Sequence, residues 1–170
     1  IVLEESNLIR NGSIVALKHV ATGKYLSSIK NLCYTTGSQK QLIFVGSSEP
    51  IPNSLWKIEF SGELATYAKN SIKLQHVKSE RLLGIYCVRT GFNRYIFYRS
   101  PLNNHTEGYL KSNDIINLSS TGRMYHDPDE FLRSHDIHFT IGNDTFQEVV
   151  CHNERLGGND EWCIELIYES

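Results

Sequence analysis

The chain has 170 residues, 40% of them hydrophobic and 21% charged, with a formal net charge of −2. These figures fit one globular domain, exclude wholesale disorder and argue against a general nucleic-acid binder. No apolar run approaches the ~20 residues that a membrane-spanning helix needs, so no such span is expected.

Taken in order, the chain opens Ile1-Val2-Leu3 without Met, and it reads as a domain cut from a longer protein. Val15, Leu17 and His19 then alternate with Ala16 and Lys18, which is a strand with one face inside. Ala21-Thr-Gly23 breaks it. A loop, Thr35-Thr-Gly-Ser-Gln-Lys-Gln41, leads into the apolar run Gln41–Gly46, and Pro50-Ile-Pro52-Asn53 ends that run. Trp56, Ile58 and Phe60 alternate with Lys57 and Glu59; single helical turns are expected only near Glu63–Lys69. Ile72, Leu74 and His76 restart the pattern, and a further strand is predicted over Tyr95–Ser100. Asp127-Pro-Asp129 and Gly157-Gly-Asn159 are breaks, and Trp162, Ile164 and Leu166 make the last strand. No helix of ten residues is predicted.

The stronger signal is internal repetition, sought before local structure. Val15–Leu26 aligns with Ile72–Leu83 at an offset of 57, sharing Leu, His, Val and Leu. Leu26–Phe60 aligns with Leu132–Leu166 at an offset of 106, and neither alignment needs a gap. The second includes Ser28/Ser134, Gln41/Gln147, Asn53/Asn159 and both tryptophans, Trp56/Trp162. Three units of four short strands follow, over residues 12–69, 70–118 and 119–170 of a single domain, 1–170. The fold class expected is all-β, a β-trefoil of three four-stranded repeats, with six strands closing a barrel and six capping it. One unit cannot cover its own apolar face, and closure removes open edges. A sandwich of irregular strands is the alternative.

Val15-Ala-Leu-Lys-His-Val-Ala-Thr-Gly-Lys-Tyr-Leu26, the Thr35–Gln41 loop and Ser54-Leu-Trp-Lys-Ile-Glu59 together resemble the MIR domain. That family is named for protein mannosyltransferases, inositol trisphosphate receptors and ryanodine receptors. The resemblance spans the chain, recurs around Leu132–Asp136, Gln147–Val150 and Trp162, and implies a β-trefoil. The middle unit departs from it: Leu74-Gln-His76 and Leu83 are kept, but no Trp precedes Ile116 and no Thr-Gly-Ser-x-x-Gln loop is present. Tyr95–Ser100 is matched there to Gln41–Gly46. The Leu-His-Ser-His element of mannosyltransferase-type members stands here as Leu132-Arg-Ser-His135 and Leu26-Ser-Ser-Ile29, each without the first His. The receptors bind inositol phosphate through basic residues, some in the loop matching residues 35–41. This chain offers one cation there, Lys40.

Catalytic patterns are absent from the sequence. Ser134-His135-Asp136 are neighbours whose side chains alternate across a strand, so adjacency cannot make them a relay. Neither a Gly-x-Ser-x-Gly elbow, a His-Glu-x-x-His helix nor a phosphate-binding Gly-Lys loop occurs. Cys33, Cys87, Cys151 and Cys163 show no CxxC pair and no zinc spacing. They read as thiols of a reducing, cytoplasmic setting; a Cys151–Cys163 bridge across one hairpin is the alternative, and the cut ends leave secretion open. No cofactor or metal is expected. Asn11, Asn104, Asn117 and Asn143 open Asn-x-Ser/Thr sequons, of which about two would arise by chance. His19 and His76 read as structural, and Trp56 and Trp162 as core.

Charge is uneven along the chain. Residues 1–122 hold fourteen Lys/Arg against eight Asp/Glu, a net of +6, and residues 123–170 hold three against eleven, a net of −8. Lys78, Arg81, Arg89, Arg94 and Arg99 lie among Phe92, Tyr95, Phe97 and Tyr98, either an anion-binding surface or a solvated face. The function expected is a monomeric, non-catalytic module for a glycan or glycosylated peptide. Its candidate ligand groups are Ser28, Thr36, Ser38, Gln41, Ser134, His135 and Gln147, although the serines and glutamines equally suit loop backbones. The competing expectation is an intracellular protein-interaction or regulatory domain of a larger chain; an enzyme is the weakest reading.

Overall fold

The computed structural model describes residues 7–35, 40–64, 71–83, 96–99, 109–120 and 130–167. They form ten strands: β1 (Ile14–His19), β2 (Lys24–Cys33), β3 (Gln41–Gly46), β4 (Trp56–Phe60), β5 (Ser71–His76), β6 (Ile96–Arg99), β7 (Asp114–Ser120), β8 (Glu130–Ile141), β9 (Asp144–His152) and β10 (Trp162–Leu166). All belong to one antiparallel sheet. Helix among the described residues is limited to two 3-10 turns, Pro52–Ser54 and Gly158–Asp160. The single turns expected at Glu63–Lys69 fall mostly outside the described residues.

Six strands pair in a closed circuit. β1 pairs with β4 and β10, β10 with β7, β7 with β6, β6 with β5, and β5 with β4. The other four make two hairpins, β2–β3 and β8–β9, which leave the circuit from β1 and β7 and meet at Val45↔Gln147. Period-two alternation fills the interior as anticipated. Val15, Leu17, Trp56, Ile58, Phe60, Ile72, Leu74, Ile116, Leu118, Trp162 and Ile164 join one buried cluster.

Two registers relate the parts. Trp56 stands opposite Val15 and His76, and Trp162 stands opposite Ile116 and His19. Ile96 stands opposite Ile72 and Ser120, so β6 takes the tryptophan strand's place in the middle of the chain. This corrects the match of Tyr95–Ser100 to Gln41–Gly46: β6 bridges β5 and β7, whereas β3 ends a hairpin. Without a Trp the middle segment had no anchor for its alignment. β7 runs through the expected boundary at residues 118 and 119, because it pairs with β10 as β1 pairs with β4.

Candidate functional site

Each hairpin changes register partway along its length, β2–β3 between Ser28 and Cys33 and β8–β9 between Ser134 and His138. A bulge disrupts the ladder and leaves backbone groups to be met by side chains. Ser28 Oγ donates to Leu42 O at 2.5 Å and accepts from Gln41 Nε2 at 2.8 Å. Ser134 Oγ donates to Glu148 O at 2.8 Å and accepts from Gln147 Nε2 at 2.9 Å. The same bonds recur at the 106 offset. Ser28, Ser134 and Gln147 are buried and Gln41 half-buried. His135 remains partly open, with Nε2 2.9 Å from the Glu148 carboxylate. Thr36 and Ser38 lie outside the described residues. The structure therefore brings Ser28 with Gln41, and Ser134 with Gln147, into two bracing pairs.

The bracing continues into the six-strand circuit. Gln41 Nε2 also donates to Ser79 Oγ at 2.9 Å, and Ser79 Oγ donates to His76 Nδ1 at 2.7 Å. His76 Nε2 then donates to Asn53 O at 2.8 Å, and the imidazole lies 5.0 Å from the Trp56 ring. His19 repeats this with Thr22 Oγ1 at 2.9 Å, Asn159 O at 2.9 Å and Trp162 at 5.0 Å. Carbonyl partners fix the proton on Nε2 in both rings. Burial lowers both pKa values and outweighs the carbonyls, which favour the charged form. Trp56 Nε1 donates to Leu26 O at 3.0 Å and Trp162 Nε1 to Leu132 O at 3.1 Å. These are structural histidines and core tryptophans.

Two groupings escaped the sequence. Asp160 is fully buried; its carboxylate accepts from Arg133 Nε at 3.0 Å and Gly157 N at 2.7 Å, and bonds His152 Nε2. Burial alone would raise its pKa, but Arg133, the Gly157 amide and His152 hold it below the usual carboxylate range. Arg133 Nη2 adds a fourth hydrogen bond at 3.3 Å, and together they saturate the carboxylate, which makes it a clamp on the 3-10 turn. The other grouping is aromatic: Tyr34 lies 5.9 Å from Phe139, Phe139 5.8 Å from Phe146, and Phe146 4.8 Å from Phe44. It joins the two hairpins. Phe139 and Phe146, equidistant from Gly142-Asn143, were the available signal.

Of the basic stretch, Lys78 and Arg81 are exposed; Arg89 and Arg94 lie outside the described residues, as does the side chain of Arg99. Cys33, Cys151 and Cys163 form no disulfide, and burial raises the Cys163 pKa.

No protein-family model and no curated protein matches the sequence. Solved structures do. The SDF2-like protein from Arabidopsis thaliana aligns at TM-score 0.69 and 20% identity, over 92% of this chain and 94% of that one. The S. cerevisiae protein O-mannosyltransferase Pmt1-Pmt2 complex, bound to the sugar donor, aligns at TM-score 0.62 and 19% identity, over 94% of this chain. These likenesses agree with the resemblance to the MIR domain read from the sequence. A Caenorhabditis elegans protein of unknown function aligns at TM-score 0.68 and 13% identity, over 95% of this chain and 98% of that one. The chain spans 26% of the mannosyltransferase chain it matches. At these identities the likeness is one of fold.

Proposed function

We propose that the MIR-like chain is a β-trefoil recognition module that binds a neutral glycan or glycosylated peptide and catalyses nothing itself. The observation that carries this is the likeness, over nearly the whole chain, to an SDF2-like protein and to part of a mannosyltransferase complex bound to its sugar donor. The six-strand circuit supports the trefoil, as do the registers Trp56/Ile96/Trp162. In this reading the repeats begin near residues 12, 70 and 114, and β7 opens the third. The ligand meets the loop running from Thr36 to Gln41 and the face that carries His135. Ser28, Ser134 and Gln147 shape that face from beneath, since their hydrogen bonds hold the bulges. Neutral hydroxyl and amide donors suit sugars, at about 1 kcal/mol net per bond.

The test is a binding screen of the purified chain against neutral oligosaccharides and inositol phosphates side by side. Retention of neutral glycans is expected. Retention of inositol phosphates alone would overturn the reading, and binding of neither would favour the protein-interaction alternative.

A further inference from the structure

We propose that Asn143 is an acceptor for an N-linked glycan and that the fold closes the Asn117 sequon to one. The two sequons share a pattern, and only their surroundings separate them. Ile141 pairs with Asp144, which leaves Gly142-Asn143 as a two-residue turn at the end of the β8–β9 hairpin. Gly142, at φ +63, takes the first central position, which needs a positive φ. Every residue from Gly142 to Thr145 is exposed. No described residue bonds the Asn143 amide, and Thr145 Oγ1 has only the distant Thr140 Oγ1, at 3.5 Å, among the described residues. Both groups that define the sequon therefore face solvent.

Asn117 is the opposite case. It is 1% exposed, its Nδ2 donates to Asp160 O at 2.9 Å, and Ser119, which completes its sequon, is buried. A sugar on that nitrogen would displace the bond and require space that the core occupies. Asn11 is exposed, but its Oδ1 accepts from Phe60 N at 2.8 Å and the Ser13 hydroxyl accepts from Arg10 N at 3.0 Å. Its sequon is thus held in a bonded turn. Asn104 lies outside the described residues.

The donor is an oligosaccharide on a lipid pyrophosphate. The bond between Asn143 Nδ2 and the sugar C1 forms as the C1–oxygen bond to pyrophosphate breaks. The lipid pyrophosphate leaves, and the amide proton passes to a base. The product projects a polar tree from the hairpin end, where it displaces no described contact.

The experiment is to express the chain behind a secretion leader in eukaryotic cells, then convert glycosylated Asn to Asp with a peptide N-glycanase, an amidase that hydrolyses the side-chain amide bond, and map the peptides by mass spectrometry. Conversion at residue 143 and none at 117 is expected in the secreted, folded protein. Asn143→Gln and Thr145→Ala should each lose one glycan, whereas Asn117→Gln should leave the number unchanged. Unconverted Asn143, or conversion at 117, overturns the proposal. The map of the unsubstituted chain decides the matter even where a variant fails to fold.

Discussion

At the scale of residues, some positions 57 apart share geometry but not identity. Gly23 and Glu80 both end the turn after a buried histidine, with amides donating to His19 O at 2.8 Å and His76 O at 2.7 Å. Both take a positive φ, +71 and +62. A left-handed backbone costs a non-glycine residue roughly 1–2 kcal/mol, partly offset in glycine by its greater unfolded-state entropy. Glu80→Gly should therefore stabilise the fold by about 0.5–1 kcal/mol, read as a higher urea midpoint at unchanged slope. A lower midpoint would show that the turn is not strained. The two histidines give a pH dependence whose sign follows from burial. Their folded pKa values lie below the ordinary 6.5, so the neutral rings contribute their full stability above that pH. That contribution is lost as pH falls from 6.5 through the folded values, because the unfolded chain takes up the protons first. Urea midpoints should drop between about pH 7.5 and pH 5.5, and less so in a His19→Gln/His76→Gln variant. A flat profile in the unsubstituted chain would contradict the assignment.

At the scale of elements, side chains bond across each hairpin's change of register. Ser134→Ala removes the donor to Glu148 O and leaves Gln147 Nε2 without its acceptor inside the protein. Leaving a buried polar group unmet costs about 1–3 kcal/mol, and denaturant unfolding should show a loss of that size. Ser134→Ala with Gln147→Leu should recover part of it; a double variant no better than the single would mean that the pair is not coupled. This bracing was half legible in the sequence. The 106 offset aligned Ser28 with Ser134 and Gln41 with Gln147, and alternation put both tryptophans inside. The middle segment was not legible, because Ile96 stands where the others have Trp and only cross-strand pairing reveals it. The Arg133–Asp160–His152 clamp was hidden for a similar reason: its members are distant in sequence and follow no motif.

At the scale of the whole molecule, the circuit of six strands presents two similar hairpins, joined at Val45↔Gln147 and by four aromatic rings. The exposed groups around their bulges are chiefly neutral or paired, as with His135 and Glu148. Lys78 and Arg81, exposed and with no ion pair among the described residues, sit on the turn after β5 and just beyond it. The two surfaces therefore predict opposite responses to salt, since screening weakens exposed charge interactions and barely touches hydrogen bonds to neutral sugars. The most direct measurement is a titration of the chain with its best-retained oligosaccharide at low and high salt, repeated with Gln41→Ala, His135→Ala and Lys78→Ala. Affinity should hold across the salt range, fall severalfold in the first two variants and stay unchanged in the third. Binding that collapses with salt and depends on Lys78 but not on Gln41 or His135 would contradict the account.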